Sequence, residues 1–362
     1  MADAVTRKIV IALDGMGGDM APDMVVRGAG IARERHPDIT FRLFGQATRL
    51  AELVKRVRWL KDCCEIVPAE DVVTNDDTPR QALRKRATSS MGMALDAVAD
   101  GQADCIVSAG NTGALLASAS VMLRPLPGIR RPALSSLLPT MRGETVMLDL
   151  GANMQCDANN LAEFAVMGSV FARTVLGLDQ PSVGLLNVGS EEGKGNETLR
   201  DAAAMLKAEG SPVRFHGFVE GNDIGAGAVD VVVTDGFTGN VALKAIEGTA
   251  KLYTGFVRDA FKTSSLAKLG YVLASGAWTK LRKRVDPRRY NGGVFLGVNG
   301  VCVKSHGGTD ALGFAYAISV AVDLVKYNLN DKIVGDLKKL REIEADEGAQ
   351  PAVAVAGGTG TP

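Results

Sequence analysis

Short β-branched apolar runs alternate along this chain with longer stretches in which apolar residues recur every three or four positions. That is the pattern of βαβ units around a largely parallel sheet. Strands are predicted at 8–14, 40–44, 104–108, 145–149, 183–188, 213–219, 230–234 and 301–304. Helices are predicted at 22–35, 46–58, 89–99, 112–123, 161–176, 197–209, 239–261 and 309–327. Several strands run into glycines and then a helix, as ligand sites of α/β proteins do. The expectation is a Rossmann-like layered α/β domain over 1–345, with a protruding helical arm near 255–290. From 346 to 362 the chain is mostly small residues and Pro without periodicity, which predicts a disordered tail.

One internal repeat adds to this pattern. Residues 104–113 read DCIVSAGNTG and residues 230–239 read DVVVTDGFTG, identical at five of ten positions without a gap. The frame describes a buried strand, a tight turn, then Thr112 or Thr238 where a helix cap or first-turn residue sits. Two such turns, Asn111-Thr112-Gly113 and Asp235 to Gly239, offer helix-terminal N–H groups to a phosphate or an oxyanion. A plain strand-to-helix turn explains either one alone.

Composition narrows the class. The 362 residues are 46% hydrophobic and 23% charged, with 41 basic against 41 acidic side chains, an ordinary globular balance. Neutrality argues against coating nucleic acid, which needs a basic excess. Five cysteines (Cys63, Cys64, Cys105, Cys156, Cys302) lack any metal-ligand spacing, so neither a disulfide framework nor a metal site is implied. No apolar stretch approaches the ~18 residues of a spanning helix, and the expected location is cytoplasmic.

The glycine loops carry the candidate chemistry. DGMGGDMAP (14–22) lacks the third glycine of a dinucleotide fingerprint, so no nicotinamide cofactor is supported, and none of any other kind is predicted. Gly17 and Gly18 let backbone approach a ligand, and Asp14 can accept hydrogen bonds or orient the loop. LLNVGSEEGKGNE (185–197) fails the P-loop spacing but gathers Asn187, Glu192, Lys194 and Asn196 at a strand end, groups suited to an anion. MLDLGAN (147–153) and VKSHGGTDA (303–311) repeat the design, so Asp149, Asn153, Lys304 and His306 are expected to converge on one sheet edge.

Two basic stretches interrupt the neutral whole. Arg80, Arg84, Lys85 and Arg86 suit an acidic partner, or simply a solvated helix face. Residues 255–290 hold nine basic side chains against two acidic ones, with Leu266, Leu269, Leu273 and Leu281 on one predicted stripe. An apolar stripe with a cationic flank fits an anionic membrane surface, and it equally fits an arm packed on a sister subunit.

In order along the chain, DGMGGDMAP, SAGNTGALLA, RRPAL, MLDLGAN, LLNVGSEEGKGNE, DVVVTDGFTGNVALK and VKSHG resemble the PlsX family, bacterial acyl-[acyl carrier protein]:phosphate acyltransferases, over about 8–335. The resemblance implies the isopropylmalate dehydrogenase/phosphotransacetylase type of fold and a homodimer. It implies acyl transfer from acyl carrier protein to inorganic phosphate, with the acyl phosphate consumed by a membrane glycerol-3-phosphate acyltransferase. It also implies reacting-centre roles for Lys194, neutralising phosphate or oxyanion, and Asn240, donating to the carbonyl oxygen. Gly15 and Gly308-Thr309 depart from the family's usual residues and bear only on loop geometry. The rival readings are a phosphotransacetylase of coenzyme A esters, a metal-dependent dehydrogenase, and a non-catalytic scaffold of lipid synthesis.

Overall fold

The computed structural model describes residues 8–284, 286 and 288–349. In chain order they form β1 (Ile9–Asp14), α1 (Asp23–Arg35), β2 (Ile39–Gly45), α2 (Ala47–Arg56), β3 (Cys64–Pro68), α3 (Pro79–Arg84), α4 (Ser90–Ala99), β4 (Cys105–Ser108) and α5 (Thr112–Met122). There follow β5 (Ala133–Pro139), β6 (Glu144–Leu148), α6 (Ala158–Val175), β7 (Ser182–Leu186), α7 (Glu197–Lys207), β8 (Arg214–Val219), α8 (Gly221–Ala226), β9 (Val231–Val233) and α9 (Gly236–Lys262). The chain ends with α10 (Ser265–Leu273), α11 (Ser275–Arg284), β10 (Gly293–Leu296), β11 (Val301–Lys304), α12 (Ala311–Lys326) and α13 (Leu329–Ala349).

Every predicted strand and helix is present, with shifted ends. The sequence pattern missed β3, β5 and β10. In β5, ALSSLLP, two serines and a proline break the apolar run, and β10 is only four residues long. The helix α13 continues to Ala349, taking in the first four residues of the expected tail; it is anchored in the core by Ile333, Leu337 and Leu340. Residues 350–362 of the expected tail lie outside the described part of the chain.

One sheet carries all the strands, in the order β3-β2-β1-β4-β11-β10-β5-β6-β9-β7-β8. The block β3 to β11 is parallel, as is the block β6 to β8. Between them the pairs β11/β10, β10/β5 and β5/β6 are antiparallel. Three reversals leave the two blocks pointing in opposite directions. The C-terminal ends of β1, β4 and β11 therefore open on one sheet edge, and those of β6, β9 and β7 on the other. This corrects the expectation of a single edge: Asp149 and Asn153 lie opposite Lys304 and His306.

Outward from the β10/β5 contact, the order is β10-β11-β4-β1-β2-β3 on one side and β5-β6-β9-β7-β8 on the other. The second set is built from strands consecutive along the chain, β5 to β9. The first repeats it with the chain opened between β11 and β1. The repeated sequence frame falls at β4–α5 and β9–α9, equivalent places in these two halves.

Alternation along the strands supplies both faces of the sheet. Ile11, Leu13, Val107 and Val303 join one buried cluster with α1, α6 and α12, including Phe164 and Phe314. Ala12, Ile106 and Cys302 join another with Leu95 of α4 and Leu115 of α5. Each fully buried Leu, Ile or Phe contributes about 1.5–3 kcal/mol. Among the described residues no single helix is long and apolar enough to cross a membrane. The apolar α12 faces inward, with Phe314, Ile318 and Leu324 buried.

Helix α9 leaves this body after about two turns: only Gly236 and Gly239 of its 27 residues are buried, and Ala242 and Leu243 pack partly against the core. At 1.5 Å per residue it reaches about 40 Å. Phe261, Tyr271 and Trp278, from α9, α10 and α11, meet with ring centroids 5.2–5.5 Å apart and pin the arm together. The expected single stripe is divided at Ala274 into two helices, and Gly270 and Gly276 weaken helix formation on either side.

Candidate active site

On the β6/β9/β7 edge, Asp149 is fully buried and organises its loop. Its Oδ1 accepts N–H bonds from Leu134 (3.0 Å), Gly151 (3.2 Å) and Ala152 (3.0 Å). Its Oδ2 accepts from the Asn153 backbone (2.7 Å) and side chain (2.9 Å). Burial pushes the carboxyl's pKa up, and these donors pull against it. The Asn153 amide also donates to the Pro132 carbonyl at 2.8 Å. Both side chains, predicted to bind substrate, are committed to the loop.

The first turn of α9 lies against that loop. The Gly236 N–H donates to the Asn153 carbonyl at 2.7 Å, and a β-carbon on Gly236 would meet Asn153 and Asp149 within 2.9 Å. Asp235 caps the helix, accepting from the Thr238 N–H and hydroxyl at 2.8 Å each. These two predicted ligands therefore satisfy each other. Of the first three helical N–H groups, that of Phe237 alone has no acceptor among the described residues. Gly239 allows the close packing, and the exposed Asn240 follows it, 3.6 Å from where a Gly151 β-carbon would lie.

On the adjacent strand, the buried Asn187 ends β7 and shapes the next loop. Its amide donates to the Lys194 carbonyl at 3.2 Å, and Gly195, at φ +83°, packs where a β-carbon would strike its Oδ1. Asn196 caps α7 through the Leu199 N–H at 2.9 Å. Glu192 pairs with Lys207. The Lys194 side chain is exposed and has no ion-pair partner among the described residues.

The β1/β4/β11 edge is built in the same way. Buried Asp14 accepts from the hydroxyls of Ser90 (2.6 Å) and Ser108 (2.7 Å), and a Gly17 β-carbon would lie 2.4 Å from its Oδ2. Beyond Gly18, at φ +106°, the Asp19 N–H donates to the Gly307 carbonyl at 3.0 Å and joins two loops. Asn111 caps α5 and donates to the carbonyls of Thr74, Asn75 and Asp77. The N–H groups of Thr112 and Gly113 have no acceptor among the described residues. Burial lowers Lys304 to about 8, opposed by nearby Asp14 and Asp19. His306 is exposed; its Nδ1 accepts from the Gly308 N–H at 3.1 Å, which assigns the ring proton to Nε2. Asn291, missed in the sequence, supports this loop by accepting from the His306 N–H and donating to Ser305 and Thr309. Its signal was slight, an Asn-Gly-Gly ahead of a short apolar run. Ser90 and Ser108 were missed because nothing local marks them as partners of Asp14.

The first basic stretch is half neutralised. Lys85 pairs with Asp77 at 2.9 Å, and Arg86 makes a forked pair with Asp96. Arg80 and Arg84 remain exposed on α3, beside α5. In the arm, Leu266, Leu269, Leu273 and Leu281 are all exposed. Arg284 is tied to the Met141 carbonyl at 2.6 Å, while the side chains of Arg282 and Lys283 lie outside the described part. A cavity of about 610 Å³ beside β2 and β3, lined by Arg42, Lys61 and Cys64 among others, shares no lining residue with either loop cluster.

Comparison with known proteins agrees with this architecture. A family model described as "Fatty acid synthesis protein" matches residues 9–332. A phosphate acyltransferase of Rhodospirillum centenum is 59% identical over 337 residues, 93% of this chain and 95% of that protein. One from Rhodospirillum rubrum is 54% identical over 349 residues, 96% of this chain and 100% of its own length. A solved phosphotransacetylase from Streptococcus pyogenes shares the fold at TM-score 0.58 and 16% identity, covering 88% of this chain and 94% of its own. The EutD phosphotransacetylase from Staphylococcus aureus does so at TM-score 0.56 and 17% identity, covering 87% and 93%. With sequence likeness over nearly its whole length and this layered sheet, the chain belongs to the phosphate acyltransferase family and is an acyltransferase.

Proposed function

We propose that this enzyme transfers a long-chain acyl group from the thioester of acyl carrier protein to inorganic phosphate, releasing acyl phosphate and free carrier protein for phospholipid synthesis. The observation that carries this reading is the pair Lys194 and Asn240, exposed at the ends of adjacent strands β7 and β9 while the polar groups around them are tied up in the loops. A phosphate oxygen attacks the thioester carbon, and the carbonyl electron pair moves onto oxygen. The tetrahedral intermediate then collapses, the carbon–sulfur bond breaks, and the thiolate takes a proton from water. Lys194 offsets the charge of phosphate and oxyanion, and the Asn240 amide with the Phe237 N–H donates to the oxyanion. Thiolate is a good leaving group, so no covalent enzyme intermediate is needed.

In the same reading the protein is a cytoplasmic homodimer that touches anionic membrane through Leu266, Leu269, Leu273 and Leu281. Carrier protein docks on Arg80 and Arg84, at the sheet edge opposite Lys194 and Asn240, so in the dimer its thioester serves the other protomer's reacting centre, and a membrane glycerol-3-phosphate acyltransferase takes the product. The test is incubation with palmitoyl carrier protein and phosphate, trapping acyl phosphate as the hydroxamate with hydroxylamine. Phosphate-dependent hydroxamate supports the reading. No product, or equal turnover of palmitoyl coenzyme A, overturns the choice of donor.

A further inference from the structure

We infer that Met154, Val188, Phe237 and Val241 form the surface along which the substrate's acyl chain lies while its carbonyl carbon reaches Lys194 and Asn240. The inference rests on the acyl transfer proposed above and names where the chain is bound. All four are large apolar side chains, each more than half exposed. They come from the loops and first two helical turns that follow β6, β7 and β9, three strands adjacent in the sheet. The Gly236–Asn153 hydrogen bond of 2.7 Å joins the loop of Met154 to the turn of Phe237. Val188 follows Asn187, whose amide holds the Lys194 carbonyl, and Val241 follows Asn240.

The fold does not demand this exposure, as the equivalent turn in the other half demonstrates. In the repeat, Phe237 corresponds to Asn111 and Val241 to Leu115. Asn111 is a polar cap bonded to three carbonyls, and Leu115 is wholly buried. One turn thus carries a polar cap over a buried leucine and the other presents apolar groups to water, an arrangement that marks a binding surface. Its position decides the occupant. A bilayer or a second copy of this chain seated on these four residues would lie over the approach to Lys194 and Asn240, whereas an acyl chain brings its own carbonyl to them. Burying methylenes there favours long chains over short ones, because each group withdrawn from water adds to binding.

The experiment compares palmitoyl and butyryl carrier protein as donors to phosphate for the wild type, the double variant Phe237→Ser/Val241→Ser, and Val188→Ser. Because the replaced side chains are exposed, thermal unfolding should be little altered. The expected result is a fall of at least about ten-fold in the palmitoyl-to-butyryl ratio of kcat/KM. An unchanged ratio in the variants, with the wild type active on both donors, overturns the acyl surface alone. A change in the native mass of the variants also overturns it, by making the patch an interface between copies. A wild type inactive on both donors overturns the acyl transfer itself.

Discussion

A β-carbon on Gly239 would stand 1.9 Å from the main-chain oxygen of Asp149. Helix α9 therefore begins in direct contact with the end of β6, and Asn240 takes its position from that contact. Gly239→Ala must push the two apart. It should lower stability by about 1–3 kcal/mol, the usual cost of overpacking, and reduce turnover more than an exposed helix substitution would. Urea unfolding with acyl phosphate assays checks both; a fully stable and active variant would show that the contact is not needed.

Lys194→Ala and Asn240→Ala remove exposed side chains, so the melting temperature should stay near that of the wild type. Turnover should fall by about 10²-fold or more, because in the proposed mechanism each group acts chiefly on charge that develops in the transition state. Folded variants with wild-type rates would remove both residues from the reacting centre.

Charge reversal at Arg80 and Arg84 should raise the KM for acyl carrier protein at low salt, with the effect shrinking as salt increases. A pantetheine thioester should be indifferent to it. Lys85→Ala and Arg86→Ala should instead loosen the α3 region, since these residues pair with Asp77 and Asp96. Steady-state kinetics on both donors separates docking from local structure.

Lys304 supplies a pH test of the opposite sheet edge. Its pKa falls from 10.5 to about 8 through burial. Between these values the unfolded chain holds a proton that the folded protein has released, so stability from this group is present above 10.5 and lost as pH falls through about 8. The wild type should gain on Lys304→Met as pH rises from about 8 to 10.5, with no further change below. Denaturant titrations across this range measure the difference; a pH-independent gap would mean that the amine is not desolvated.

Leu269→Glu with Leu273→Glu should abolish sedimentation with anionic vesicles while sparing acyl transfer in solution. Both leucines are exposed, so the substitution burdens no core. Loss of the native oligomer or of activity together with binding would make α10 a structural arm.

Much of the architecture is written locally. The alternation in β1, β4 and β11 and the helical spacing of α1, α4 and α12 mark their own elements, because side-chain periodicity is a property of neighbouring residues. The repeat at 104–113 and 230–239 likewise announced two equivalent turns, and the glycines of 14–22 and 185–197 announced loops of close approach. What local pattern cannot carry is the partner of a strand or a polar atom. The strands β10 and β5 reverse the sheet through pairings between residues more than 150 positions apart, such as Val294 with Ser135. That reversal, invisible in either segment alone, divided motifs of one design between opposite edges. The same limit governs the side chains. Asp149, Asn153, Asp235 and Thr238 have the chemistry of ligands, yet each is used by donors or acceptors that only the folded backbone brings within about 3 Å. The Lys194 and Asn240 side chains stay available for the opposite reason, since among the described residues folding brings no such partner to either.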